Sequence, residues 1–132
     1  MGIVFKEIHD FKKEDLERLF LSVNWESGRF PEKLVTAMQH YETVYSAWDG
    51  EKLVGLISAM DDGILNAYVE YLLVDPAYHK QMIGRTLVDM VKQKYQGYLR
   101  VILLAYKTER TFYENCGFEE DEASCPMLIL NL

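Results

Sequence analysis

Apolar positions along the chain follow two periods in turn, and the changes of period mark the elements. Residues 2–8 (GIVFKEI) are short, apolar and β-branched, and read as a first strand. Across 12–23, Leu16, Leu19, Phe20 and Val23 recur at helical spacing behind the acidic pair Glu14 and Asp15, whose charge suits a helix start. The pattern predicts an amphipathic helix. Ser27-Gly28-Arg29-Phe30-Pro31 breaks it, and Pro31 fits the first turn of a second helix reaching about His40, with Leu34, Val35 and Met38 on its buried side.

From Thr43 the pattern becomes strand-like. TVYSAW runs into Asp49-Gly50, read as the two residues of a hairpin turn, and KLVGLISAM leaves it. Asp61-Asp62-Gly63 is a second turn signal, and ILNAYVEYLLVDP is a third strand, ended by Pro76, which cannot donate to a ladder. A helix follows from about Gly84 to Tyr95, with Leu87, Val88 and Val91 on its apolar side and Gly97 as its stop. YLRVILLAY reads as a continuous apolar, buried strand, 108–115 as a short helix ended by Gly117, and PMLILNL as a last strand behind the acidic connection 119–122. The order is β-α-α-β-β-β-α-β-α-β, an α/β or α+β sheet of mixed polarity covered by helices.

A length of 132 residues predicts one domain over 1–132. Hydrophobic residues at 49% and charged residues at 27% are ordinary for a globular chain, and exclude collagen, coiled coil and wholesale disorder. Uncharged apolar runs such as 71–74 and 101–106 are far shorter than the ~20 residues of a spanning helix. The start lacks the pattern of a signal peptide, and Lys6 stands where a myristoylation motif wants Ser or Thr, so the expected location is cytoplasmic. Cys116 and Cys125 are too few for a disulfide framework or a zinc site; free thiols and no metal are expected. The net charge of −7 speaks against nucleic acid, whose affinity comes from Lys and Arg, and mildly favours cationic substrates such as amines. It leaves room for phosphate bound at one helix start.

That possibility has a place. VEYLLVDP-AYHKQMIG-RTLVDMVKQ is a strand running through a short loop into a helix, which presents backbone N–H groups at the helix start. The same segment resembles the coenzyme-binding motif of the GNAT superfamily of N-acetyltransferases, Leu/Phe-x-Val-x-Pro followed by Gln/Arg-x-x-Gly-x-Gly/Ala. Leu72, Val74, Pro76 and Gly84 match, while His79 and Met82 stand at the Gln/Arg and first Gly positions. Phe112-Tyr113-Glu114-Asn115-Cys116-Gly117-Phe118 resembles the family's Phe-Tyr-x-x-x-Gly-Phe, the hairpin AWDGEKLVGLIS resembles its paired strands, and the order of elements is the family's.

The resemblance implies a mixed, mostly antiparallel central sheet flanked by about four helices, splitting like a V between the strands ending near Val74 and Tyr106. It implies an N-acetyltransferase that moves an acetyl group from acetyl-CoA, a co-substrate, to a small-molecule or peptide amine by direct transfer in a ternary complex. The coenzyme's pantetheine arm would pair with the backbone of Leu72, Leu73 and Val74. Its pyrophosphate would meet the loop and helix start formed by His79, Lys80, Gln81, Met82, Ile83, Gly84 and Arg85. Tyr113 matches the family's general acid. Glu70 matches a strand glutamate that some members use as base, and period-two alternation puts it on one face with Tyr68, Leu72 and Val74, where apolar neighbours would tune its carboxyl. The acceptor pocket falls to Trp25, Glu26, Arg29, Phe30, Tyr41 and Tyr45, aromatic faces beside a carboxylate. Tyr106 and Glu109 stand where members carry Asn and Ala. With Met82, they favour the alternative of a catalytically silent acyl-CoA-binding or protein-interaction module on the same fold. A homodimer covering the terminal strand MLILNL is a further expectation.

Overall fold

The computed structural model describes residues 2–131. Five strands form one sheet in sequence order. β1 (Val4–Lys6), β2 (Thr43–Asp49), β3 (Lys52–Asp61) and β4 (Asn66–Val74) are antiparallel neighbours, and β5 (Arg100–Leu103) joins β4 in parallel. The parallel pair needs a crossover, and the helix predicted after Pro76 supplies it. That helix is α3 (Ile83–Lys94); α1 (Lys13–Ser22) and α2 (Pro31–His40) precede the hairpin and α4 (Arg110–Asn115) follows β5. Short 3-10 helices occupy Glu26–Arg29, Pro76–Gln81 and Lys107–Glu109.

The helical stripes bury most of the residues their spacing picked out, with Val23, just past α1, and Val35 half-buried. Leu16, Leu19 and Phe20 of α1 and Leu34 and Met38 of α2 pack with Val44, Trp48, Leu53, Leu56 and Leu73 on one face of the sheet. Ile83, Leu87, Val88 and Val91 of α3 pack with Ala47, Val54, Ile57, Ala59, Ala67 and Val69 on the other. Gly55 of β3 is what lets α3 start so close to the sheet, since a Cβ there would stand 2.9 Å from Ile83 Cγ2.

Four expectations are corrected. Asp49 pairs with Lys52, so the hairpin turn is Gly50-Glu51, not Asp49-Gly50; a register shift after Ala47↔Gly55 leaves Val54 as an extra residue and moves the turn by one. In β4 the ladder steps from Ser58↔Tyr71 to Ala59↔Val69, leaving Glu70 as an unpaired extra residue. The bulge reverses the alternation: Ala67 and Val69 face α3 before it, Leu72 and Val74 face α3 after it, and Tyr71 and Leu73 face α1 and α2. Tyr68 therefore does not share a face with Leu72 and Val74. β5 is a short edge strand whose Ile102 is exposed, not a buried one. Residues 126–131 of the expected last strand form no strand, and Leu132 lies outside the described residues.

Candidate active site

The β4–β5 ladder runs from Asn66↔Arg100 to Val69↔Leu103 and ends there, while β4 continues to Val74. Past Leu103 the two strands no longer pair, so the backbone of β4 from Glu70 to Val74 has no β5 partner. Glu70 is the first residue past the last pair, and the bulge removes it from the β3 ladder as well. It is exposed, so the burial among apolar neighbours expected around its carboxyl is absent. Its charge acts on two hydroxyls: burial, and then Glu70, raises Tyr41 and Tyr68 above the ordinary tyrosine value.

The segment after β4 is tied to the β2–β3 hairpin. Asp75 N–H donates to the Val54 carbonyl at 2.8 Å, Lys52 Nζ lies 3.6 Å from the Asp75 carboxylate, and Tyr78 donates its hydroxyl proton to Asp49. The Asp75 carboxylate also accepts from Ala77 N–H at 2.9 Å, opening the 3-10 helix that leads to α3. His79 Nε2 donates to the Val74 carbonyl at 2.9 Å, closing the loop on the strand it leaves. Lys80 and Gln81 are exposed.

Met82 then adopts φ 60 and ψ 20, with 65% of its surface exposed. This is the left-handed region that glycine enters without cost, which is why the motif position held by Met82 favours Gly. Its carbonyl accepts from Thr86 N–H at 3.0 Å and Thr86 Oγ1 at 2.9 Å, so the first intrahelical bond of α3 starts at Thr86. The amides of Ile83, Gly84 and Arg85 precede that bond and point out of the helix end. Arg85 Nε is buried without a hydrogen-bond partner among the described residues, 3.8 Å from the Asp89 carboxylate.

α4 abuts this helix start. A Cβ on Gly84 would lie 3.4 Å from Phe112 Cζ, and the next residue, Tyr113, packs edge-on between Phe112 at 5.1 Å and Phe118 at 5.9 Å. Burial, with Glu109 and then Cys116 adding to it, pushes the Tyr113 hydroxyl up to about 12, so it keeps its proton at neutral pH. Lys92 Nζ donates to the Cys116 carbonyl at 2.6 Å and holds the end of α4 on α3.

On the other face, Phe20, Trp25, Tyr41 and Tyr71 form an aromatic cluster. Tyr71 is its centre, with ring centroids 5.0 Å from Phe20, 5.9 Å from Trp25 and 6.3 Å from Tyr41. Its hydroxyl lies 3.0 Å from Ser27 Oγ. The cross-strand neighbour Ser58 has a buried Oγ without a partner among the described residues. Beside the cluster a surface pocket of about 320 Å³ is lined by Leu21, Asn24, Trp25, Glu26 and Arg29. Phe30 is exposed, with Lys33 Nζ 5.1 Å from its ring centroid. Tyr45 is not part of this group: it is buried on the opposite face against α3, because its position in β2 points that way. Nor do the three strand residues Leu72, Leu73 and Val74 share a side, since Leu73 is buried under α1 and α2. Sequence reasoning did not single out Tyr71, because the bulge that aims it at Trp25 leaves no trace in an alternating pattern.

Among the described residues no group of three or more His, Cys, Asp or Glu is placed to hold a metal ion, and no helix is long and apolar enough to cross a membrane. The profile of the acetyltransferase (GNAT) domain matches residues 8–127. A solved GNAT-family acetyltransferase from Streptococcus pneumoniae TIGR4 is 31% identical, with 98% of each chain covered and a TM-score of 0.84. Histone acetyltransferase TAP1 of Glycine max is 29% identical over 132 aligned positions, covering 90% of this chain and 57% of that protein. The chain thus spans little more than half the length of that relative. The fold is also that of an aminoglycoside 6'-N-acetyltransferase complexed with coenzyme A, at 20% identity and a TM-score of 0.70 over 86% of this chain and 83% of that one.

Proposed function

The chain belongs to the GNAT acetyltransferase family, and from that premise we propose that it transfers an acetyl group from acetyl-CoA to an amine within a ternary complex. The observation that carries this reading is the parting of β4 and β5 at Glu70, next to a helix start whose amides are open. The residues present fit the co-substrate. Ile83, Gly84 and Arg85 offer N–H groups and the positive end of α3 to a diphosphate, and Arg85 Nε is a buried donor in want of an acceptor. Lys80 adds a mobile cation. Leu72 offers backbone beyond the last β5 pair, while the Val74 carbonyl already accepts from His79.

Acetyl-CoA supplies an activated thioester. This chain's residues supply two proton sites and an acceptor pocket. Glu70, exposed where the strands part, takes a proton from the attacking amine, directly or through water. Tyr113, protonated at neutral pH as an ordinary tyrosine is and raised further by burial, holds the proton that a departing thiolate needs. Trp25, Tyr41 and Tyr71 present ring faces, and Glu26 a carboxylate, to a cationic or aromatic amine. In the acetyl transfer the amine N–C bond forms as the C–S bond breaks, so one proton leaves nitrogen and one reaches sulfur.

Calorimetry with acetyl-CoA, followed by free-thiol release across an amine panel, tests the reading. Relatives named for histone and aminoglycoside acetylation make histone-tail peptides and aminoglycosides the first members of that panel. Binding heat with thiol release on at least one amine supports it; no heat at saturating acetyl-CoA overturns it. A second reading, a silent coenzyme-binding module, is favoured by the exposure of Glu70, whose carboxyl lacks the apolar surroundings that would tune it as a base. Heat without thiol release on any amine would select that reading.

A further inference from the structure

The loop that leads from β4 to α3 has no packing of its own. None of the residues of the 3-10 helix Pro76–Gln81 is buried, and Met82 after it is exposed. The helix that follows is anchored, because Ile83 is buried where Gly55 lets it approach β3. Residues His79 to Met82 lie before that anchor, and a segment with few buried apolar contacts opens locally unless polar bonds hold it.

The β2–β3 hairpin supplies such bonds. Asp49 and Lys52 are the pair that closes its turn, opposite one another across the two strands. Tyr78 donates its hydroxyl proton to the Asp49 carboxylate, and Lys52 Nζ lies 3.6 Å from the Asp75 carboxylate and 5.2 Å from the centre of the Tyr78 ring. Within the loop, Tyr78 N–H donates to the Asp75 carbonyl at 2.8 Å, which joins these contacts into one closed array. A hydrogen bond to a carboxylate is about twice as strong as a neutral one, so the Asp49–Tyr78 bond is its main tie. The hairpin end of the array is fixed, since Trp48, Leu53 and Val54 are buried beside it.

Resting on the acetyl-CoA reading above, which gives none of these four residues a part, we propose that Asp49 and Lys52 are positioning residues for the coenzyme. Through Tyr78 and Asp75 they hold the 3-10 helix whose end, Lys80 to Met82, meets the diphosphate.

Tyr78→Phe keeps the ring beside Lys52 and removes the hydroxyl; Asp49→Ala removes the acceptor, and Asp49→Asn keeps an acceptor oxygen. Calorimetry with coenzyme A should give a Kd about fivefold higher for Tyr78→Phe and for Asp49→Ala, no further increase when the two are combined, and most of the natural affinity for Asp49→Asn. With an accepted amine, KM for acetyl-CoA should rise by a similar factor while kcat stays within about twofold, as when a contribution to binding alone is lost. On the natural chain, saturating coenzyme A should slow hydrogen exchange of the Gly50, Glu51 and Lys52 amides, because a loop that steadies the ligand through the hairpin is steadied with it in return.

An unchanged Kd in Tyr78→Phe and Asp49→Ala overturns the proposal. So does an additive loss in the double variant, a kcat that falls as far as KM rises, or an Asp49→Asn as weak as Asp49→Ala. Hairpin amides that exchange at the same rate with and without coenzyme A overturn it too, and that measurement needs no variant to fold. A natural chain that gives no heat with coenzyme A overturns the acetyl-CoA reading and this proposal together; heat that the natural chain and the variants share equally overturns the proposal alone.

Discussion

Met82 holds a conformation that a side chain with a Cβ enters at a cost of about 1–2 kcal/mol, and its exposed side chain gains little burial in return. Met82→Gly removes that strain while freeing the unfolded chain by about 0.4–1 kcal/mol. Urea unfolding should therefore show a stability between unchanged and about 1.6 kcal/mol higher, and acetyl-CoA should bind several-fold tighter once the side chain beside the open amides is gone. A clear loss of stability would mean that Met82 packs usefully where it stands. Tyr113 is the opposite case, a residue packed among aromatic rings, whose hydroxyl burial pushes up to about 12. Tyr113→Phe should lower kcat on the order of 100-fold with acetyl-CoA affinity unchanged by calorimetry; equal loss in both would make it a packing residue. For Glu70, geometry outweighs the sequence argument. The side chain is not tuned by apolar neighbours, yet it is the one β4 residue that both ladders omit. Glu70→Gln should flatten the acidic limb of the kcat/KM profile, and an unaltered profile removes it as the base. Tyr113 and Glu70 stood out in the sequence by their places in motifs. The surroundings of Glu70 did not, because the ladder that omits it belongs to β3 and the hydroxyl it acts on to Tyr41, both distant in sequence.

The helices were legible as elements because each buries a single stripe, so the 3.6-residue period of α1, α2 and α3 survives in the order of Leu16, Leu19 and Phe20 or of Leu87, Val88 and Val91. The strands were legible in kind and not in register. A bulge inserts one residue without changing the composition of either side, so counting by twos through Glu70 assigns Tyr71 and Leu72 to each other's faces. The turn between β3 and β4 shows what a sequence signal can hide. Asp61-Asp62-Gly63 marks a bend, but only the structure shows Asp62 accepting from the backbone of Ile64, Leu65 and Asn66 and from the Asn66 side-chain amide. Those bonds, that from Asn66 N–H foremost, hold its carboxyl down at about 2. A carboxyl depressed on folding contributes stability that is complete above its unfolded value and is lost as pH falls toward the folded one. Asp62→Ala should thus lower the urea midpoint at neutral pH, and the gap from wild type should narrow as pH is taken from about 5 to about 3. A gap that stays constant with pH would show that the loss is packing and not the charged cap.

At the scale of the whole molecule, two expectations failed together. YLRVILLAY and PMLILNL carry the apolar density of paired, covered strands, and within one copy β5 is a half-bare edge while residues 126–131 are fully in water. Local patterning encodes that a segment is apolar and β-prone and carries no information about what, if anything, packs on it.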